Sequence, residues 1–488
     1  MKETIVRAQC GLNTAVLGQK SIHSRYNPQL EAKRYVDSLN FHGGFRYVIL
    51  AECGLAYVIE PLRQKSPDSK IISLHLREFY AGKSASPPDA EWSPASSVSL
   101  NSFLENEIDD IEANKIKIIE WRPAADMYGV EYLTLIKKIA AFVKRIDANK
   151  RTRAAFGRRW FKNVLKNCFL FGGRINTRIV RRGGDCVIAG AGPALNDAYD
   201  AIRQLTKNGA LLIAVSSAAS ALLQAGLRPD VIVACDGGSW APLHLFESVR
   251  FFCGGNTPYP VLAFSLSAAL PSQCAGFNLL PISDESLFQS IARQCFDFPH
   301  LSFPQRGTVS ASAVDVAFRV SGGAVYTAGI NFSHRDIRSH VKPYAFDALL
   351  SDAAGRFTPL YALQFERART ITESGANGIY AAWFSSQNYP RKIYSITDEC
   401  ADKKRVSNSE TRGGADVFDF SLAKPVSRPV TKLISALIAA LESPVKEKLS
   451  SELSDMLPDL GGSLEYDRLR AELLRVSKKY RAIEERYG

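Results

Sequence analysis

The sequence predicts an α/β protein: a central, mostly parallel sheet, a smaller N-terminal α/β domain and a helical C-terminal region. Three observations predict it. Short apolar runs alternate with helical periodicity from about Asp185 to Gly329. A weaker strand–glycine–helix–strand pattern precedes them, between Phe45 and Leu76. From Ser427 onward the pattern is helical only. The 488 residues allow two to four domains, and apolar and charged fractions of 46% and 23% fit a chain with buried cores.

Residues 1–147 are expected to form the first unit. Phe45–Ala51 is a strand, Gly54 turns it toward a helix, and Lys70–Leu76 is a second strand, in a Rossmann-like arrangement. A single glycine in the turn is not GxGxxG, which favours a structural role over dinucleotide binding. Gly82–Ser99, rich in Ser, Pro and Ala, is expected to be a loop. Two helices should follow, Tyr132–Ile146 and Ala154–Cys168. The second lies in a basic connector, 148–182. From Lys144 to Arg182 the only acid is Asp147, which makes this stretch either a solvated helical connector or a collar for a polyanionic ligand.

The central domain, 183–400, carries the clearest pattern. Its strands are Asp185–Gly190, Ala210–Val215, Val231–Ala234, Val261–Ser265, Asn278–Ile282 and Gly323–Gly329. Its helices are Pro193–Lys207, Ala218–Ala225 and Gly307–Val320, the last opening at Thr308 or Ser310. This alternation predicts a sheet covered on both faces. Ser333–Tyr344 should be a loop, Phe357–Trp383 helical with interruptions at Gly375 and Gly378, and 401–488 a helical domain including Pro429–Leu441 and Tyr466–Tyr487.

Composition narrows the function classes. The net charge of +12 favours anionic ligands. Nine cysteines stand at irregular spacings without CxxC or zinc spacing, which suits reduced thiols in a cytoplasm. The segment after Met1 has no signal-peptide core. Gly209–Leu227 is uncharged but contains three serines, and it reads as strand, turn and helix rather than a membrane span. The basic stretch brings no nucleic-acid-binding motif with it.

Parallel sheets bind ligands at the carboxyl ends of their strands. Glycines 190 and 192, followed by Pro193 and a helix start, could bring backbone N–H groups to a phosphate, or could simply make a tight strand–helix turn. Asn196 and Asp197 could cap local backbone. Asp236, before Gly237-Gly238, could hold a ribose hydroxyl or a cation, or form the turn. The loop after the last central strand contains His334 and His340, two of the seven histidines, with Tyr344 at its end. A histidine there could take a proton from an alcohol or belong to a plain surface loop.

These residues resemble the motility-associated factor (Maf) family of flagellin glycosyltransferases. That family's central domain is shared with archaeal hydroxymethylpterin diphosphokinases and is similar in fold to bacterial sialyltransferases. Val187–Asn196 resembles the family's strand–GxGPSL turn. Ala214–Asp236 resembles its block of serine pair, helix, Pro-Asp, strand and Asp. Gly307-Thr308-Val309 resembles its GGSV helix start, and Ala328–His340 its GQDL segment with a downstream histidine. Ser21–Arg34 resembles an HSxYxPxxEA block, and Tyr380–Phe384 a helix following the core. Ala194 replaces the usual serine and Asn331 stands where aspartate is common; His340 matches the family histidine better than His334 does.

The resemblance implies inverting transfer of a pseudaminic- or legionaminic-type nonulosonic acid from a CMP-sugar to Ser or Thr of flagellin. It implies His340, or else His334, as the base and Asp236 as a ribose-binding or orienting group. The donor would be bound by Gly190, Gly192, Pro193, Asn196, Ser216, Ser217, Gly307, Thr308, Ser310, Asn331 and Tyr344. No cofactor or metal is expected, and the flanking domains would recognise flagellin. Two alternatives remain: an ATP-dependent pterin diphosphokinase, which would need Mg²⁺ on carboxylates such as Asp230, Asp236, Asp315 or Asp336, and a non-catalytic flagellin-binding assembly factor.

Overall fold

The computed structural model describes residues 2–487 apart from 42–43, 110–114, 181, 255–256, 374, 376, 379, 382–383, 385–388, 390, 397–416, 421–429 and 458–464. The boundary expected at 400/401, Cys400 and much of the expected Phe357–Trp383 helix beyond residue 373 lie outside the described residues. The chain divides into two compact units, Met1–Ala155 and Phe156–Gly488.

In the first unit, β1 (Thr4–Arg7), β2 (Asn13–Leu17) and β3 (Lys20–Ser21) make an antiparallel ribbon. Next come α1 (Pro28–Ser38), β4 (Tyr47–Ala51), α2 (Ile59–Lys65), β5 (Lys70–Leu74) and β6 (Ala90–Trp92). The unit continues with α3 (Leu100–Glu107), β7 (Ile116–Glu120) and α4 (Arg122–Tyr128). Strands β4–β7 form a parallel sheet in the order β6-β5-β4-β7. All five residues of β4 are buried, which is why a continuous apolar run marks it. Strand β6 lies inside the stretch expected to be loop. It is three half-buried residues long, too short for a pattern, and is held beside β5 by the Asp89 carboxylate, which accepts from Ile71 N at 2.7 Å.

Where two helices are expected there is one, α5 (Val130–Phe171). The residues between Ile146 and Ala154 interrupt the apolar stripe but include no Gly or Pro, so nothing stops the helix. An Asp147–Arg151 pair at 2.8 Å bridges that polar stretch. The first half of α5 buries Tyr132, Leu135, Ile139 and Phe142 in the first unit's core. Its second half buries Phe161, Val164, Leu165 and Phe171 in the core of the second.

The second unit begins with β8 (Arg178–Ile179), β9 (Cys186–Ala189), α6 (Tyr199–Lys207), β10 (Leu211–Val215), α7 (Ser216–Gln224) and β11 (Val231–Ala234). It continues with α8 (Leu243–Cys253), β12 (Val261–Ser265), β13 (Asn278–Ser283), α9 (Leu287–Phe296), β14 (Leu301–Ser302) and α10 (Val309–Val320). After β15 (Val325–Ala328) come α11 (Asp347–Ala353), α12 (Leu360–Glu373), β16 (Ile393–Ser395) and β17 (Phe418–Asp419). Three helices follow: α13 (Val430–Leu441), α14 (Lys446–Met456) and α15 (Glu465–Tyr487). Leu433, Ile434, Leu437 and Leu441 of α13 bury into the same core as the sheet.

Eight parallel strands run in the order β14-β13-β12-β11-β10-β9-β15-β16. From β9 the chain steps outward through β14, then returns so that β15 pairs with the other side of β9. The strand order therefore reverses between β9 and β15, and a crevice outside their carboxyl ends is the place where such sheets bind ligands.

Candidate functional site at the sheet's carboxyl edge

The glycine turn lies at this reversal. Gly190 N donates to Ala328 O and Gly192 N to Gly329 O, each at 2.8 Å. A Cβ on Gly190 would lie 2.6 Å from Gly329 O, and one on Gly192 2.6 Å from both Gly329 O and Asn331 Oδ1. The close approach that requires glycine is thus between the 190–192 and 329–331 turns. Gly329 itself has φ +64°, with its own Cβ position 2.6 Å from Gly190 O. The helix expected from Pro193 begins as a 3₁₀ turn, Pro193–Ala198, before α6.

The histidine loop folds over the glycine turn. Val341 N donates to Ala191 O at 2.8 Å, and Asn196 Nδ2 donates to Lys342 O at 3.3 Å. Asn196 thus ties two candidate segments together, and Asp197 pairs with Arg335 at 2.5 Å rather than capping local backbone. Phe332 and Asp336 hold φ of +47° and +53°, a left-handed backbone that costs non-glycine residues about 1–3 kcal/mol each.

His340 stacks on Tyr344 with ring centroids 4.1 Å apart. His244 of α8 packs against Tyr344 and Phe346 at 5.3 and 5.0 Å. The Arg367 guanidinium of α12 lies 4.7 Å from the Tyr344 ring and 5.2 Å from that of Phe346. Burial pushes the His340 imidazole down to about 3, with Arg367, His244 and His334 adding to the effect. His340 is therefore neutral near pH 7. Its Nδ1 is 2.8 Å from Ser339 Oγ. His244 is pushed down chiefly by burial, with Asp236 opposing and Arg367 reinforcing. Among the described residues, His244 Nδ1, His334 Nε2 and Asn331 Oδ1 are buried without a partner.

Asp236 follows β11 and accepts from Gly238 N at 2.7 Å, so it shapes its own turn as well as facing His244 and Tyr344 electrostatically. Ser216 and Ser217 open α7 at the carboxyl end of β10. Thr308 is the N-cap of α10, its hydroxyl accepting from Ala311 N at 3.1 Å, and Ser310 lies in the first turn. A Cβ on Gly307 would lie 3.9 Å from Cε1 of Tyr380. Asp315 is bound by Arg306 in two bonds, 2.6 and 3.1 Å. Asp230 precedes β11, at the opposite edge of the sheet, where it accepts from Leu212 N at 2.8 Å.

The second half of α5 is more than a solvated connector. Asn163 Nδ2 donates to Gly237 O and Ser267 O at 3.2 and 2.9 Å. Asn167 Nδ2 donates to Leu266 O and Ala268 O at 2.9 and 2.8 Å, and Lys166 Nζ to Leu270 O at 3.0 Å. A Cβ on Gly237 would lie 2.4 Å from Trp160 Cδ1. The helix therefore holds the loops that follow β11 and β12.

In the first unit the strand order reverses between β4 and β7, and side chains at the carboxyl ends of its strands bond one another. His23 Nε2 accepts from Leu55 N at 2.9 Å, and a Cβ on Gly54 would lie 2.8 Å from that nitrogen. Glu52 is fully buried and accepts from Gly54 N and Leu76 N at 3.2 and 2.6 Å. His75 lies between Glu52 and Glu91 at 3.4 and 2.9 Å. These groups bond one another, in keeping with a structural turn, while among the described residues His23 Nδ1 is buried without a partner.

His244, Phe346 and Arg367 are absent from the sequence-based site. They come from α8, the end of the histidine loop and α12, and no motif marks them. A cavity of about 580 Å³ lined by Arg178, Arg182, His300 and Arg319 lies at the amino edge, away from this chemistry. No helix among the described residues is long and apolar enough to cross a membrane.

Comparisons with known proteins bear on the same region. Residues 161–336 match a protein-family model described as 6-hydroxymethylpterin diphosphokinase MptE-like. The chain is 27% identical over 343 residues to an uncharacterized protein of Treponema pallidum (strain Nichols), covering 68% of this chain and 72% of that one. Among solved structures it is similar to a Maf glycosyltransferase from Magnetospirillum magneticum AMB-1, with a TM-score of 0.42 and 11% identity over 98% of this chain and 86% of the other.

Proposed function

We propose that this protein is a glycosyltransferase that moves a nonulosonic acid from a CMP-sugar to Ser or Thr hydroxyls of flagellin, with inversion. The observation that carries the proposal is the convergence at the β9/β15 reversal of the glycine turn, His340 stacked on Tyr344, and the Tyr344–Arg367 pair. The identities of the sugar nucleotide and the acceptor rest on the resemblance of the ordered motifs from Val187 to His340 to the Maf family. The family match over 161–336 covers this segment of the sheet.

The chemistry follows from the residues. As the phosphate leaves, the anomeric carbon gains oxocarbenium character, and the acceptor oxygen forms its bond from the opposite side. The hydroxyl proton passes to the free imidazole nitrogen of His340. Asn196, Ser216, Ser217 and Asn331 would contact nucleotide or sugar. Glycines 190 and 192 would act by fixing the cleft wall, since their N–H groups already bond Ala328 and Gly329. The diphosphokinase reading keeps one specific support, the name of the matching family model.

The test is the intact mass of flagellin co-expressed with this protein and a CMP-nonulosonate pathway. The proposal expects mass gains in steps of one nonulosonic acid residue. Unmodified flagellin in the presence of confirmed donor contradicts it, and Mg²⁺-dependent AMP release from ATP and a pterin alcohol would favour the kinase.

A further inference from the structure

The arginines around the carboxyl edge differ in one respect. Arg306 is paired with Asp315, Arg335 with Asp197 and Arg338 with Asp336, the last at 3.5 Å. Arg367 has no carboxylate partner among the described residues. Its guanidinium rests on the rings of Tyr344 and Phe346. Aromatic faces fix a guanidinium without neutralising it and leave N–H groups of its planar fork available. Tyr344 stacks on His340, so the cation stands one ring away from the proposed base. The nearby loops also hold the unpartnered Asn331 Oδ1 and His334 Nε2, and α8 the unpartnered His244 Nδ1.

We propose that Arg367 is the anion-binding residue of this cleft, receiving the phosphate or the carboxylate of the donor. This rests on the sugar-nucleotide reading above. A planar fork matches either anion with two parallel bonds, and the half-buried setting strengthens them. The position has a second consequence. Arg367 is one of the groups holding the His340 imidazole down, together with burial, His244 and His334, while Tyr344 and Ser339 complete its surroundings. An anion on the guanidinium offsets that effect, so His340 becomes a stronger base once donor is bound.

Calorimetric titration of the full-length protein tests this with cytidine, CMP, inorganic phosphate, free nonulosonic acid and the CMP-sugar. The variants are Arg367→Gln and Arg367→Lys. Arg367→Gln is expected to weaken CMP binding ~10- to 100-fold, the range of a charge-assisted hydrogen-bonded pair, and to leave cytidine unchanged. Arg367→Lys should recover part of the loss. If CMP is unaffected while the free acid and CMP-sugar weaken, the anion is the carboxylate. Unchanged binding of every anion overturns the proposal, as does an equal loss for cytidine, which marks a purely structural clamp. Wild-type binding of phosphate but neither CMP nor the CMP-sugar sinks the sugar-nucleotide reading. In that case the anchor stands only if Arg367→Gln abolishes phosphate binding. Wild-type binding of none of the anions overturns both.

Discussion

His340 is the residue on which the proposed chemistry turns, and its setting makes sharp expectations. Its folded pKa, about 3, lies below the ordinary histidine value of 6.5. The folded protein therefore binds fewer protons here than the unfolded chain, and this site costs stability as pH falls from about 6.5 toward 3. In a histidine-resolved NMR titration, the His340 resonances should stay those of neutral imidazole at pH 5.5 and move toward protonation at that pH when CMP is added. A titration near 6.5 in the free protein would contradict the buried, cation-flanked setting. His340→Ala should lower the transfer rate about 10²–10⁴-fold, the range for removing a general base, while His334→Ala should leave most of it. The glycine turn carries a different expectation. Gly190→Ala sets a methyl 2.6 Å from the Gly329 carbonyl oxygen and should destabilise by ~1–3 kcal/mol through overpacking, measured as a lower Tm.

Two elements carry effects that no single motif displays. In α5, Asn167 is 2% exposed and bonds two loop carbonyls. Asn167→Ala should cost about 1–3 kcal/mol by leaving them unpaired and, because those loops flank Asp236, should weaken CMP binding as well. In the first unit, two buried histidines titrate in opposed directions. Burial pushes His23 down to about 3, so its contribution is lost as pH falls below about 6.5. His75 is raised: burial opposes protonation, but Glu52 and Glu91 outweigh it. Its stabilisation is full below 6.5 and is lost as pH rises through the folded value. Thermal melts of the full chain across pH 5–9 should show wild type losing more stability above pH 6.5 than His75→Gln; parallel curves would refute the charged cluster. The strands are legible in the sequence because burial on both faces leaves continuous apolar runs, and β11 and β12 match residue for residue. The continuity of α5 is not, because polar residues between Ile146 and Ala154 break the stripe while leaving the helix intact.

At the scale of the whole molecule, the site depends on strand order, which composition and periodicity do not encode. Gly190–Gly192 and the histidine loop are legible as candidates because each follows an apolar strand. Their meeting depends on β15 returning beside β9, so that Gly329 packs on Gly190 and Val341 bonds Ala191. Arg367 and His244 are illegible for a related reason: each lies in a helix of mixed character, brought to the edge only by the folded chain. The central claim is that the crevice outside β9 and β15 binds the nucleotide. A crystal structure of the full chain grown with saturating CMP tests it most directly. The account predicts CMP density in that crevice, with its phosphate toward Arg367 and His340; CMP bound at the amino edge or in the first unit, with the crevice empty, would contradict it.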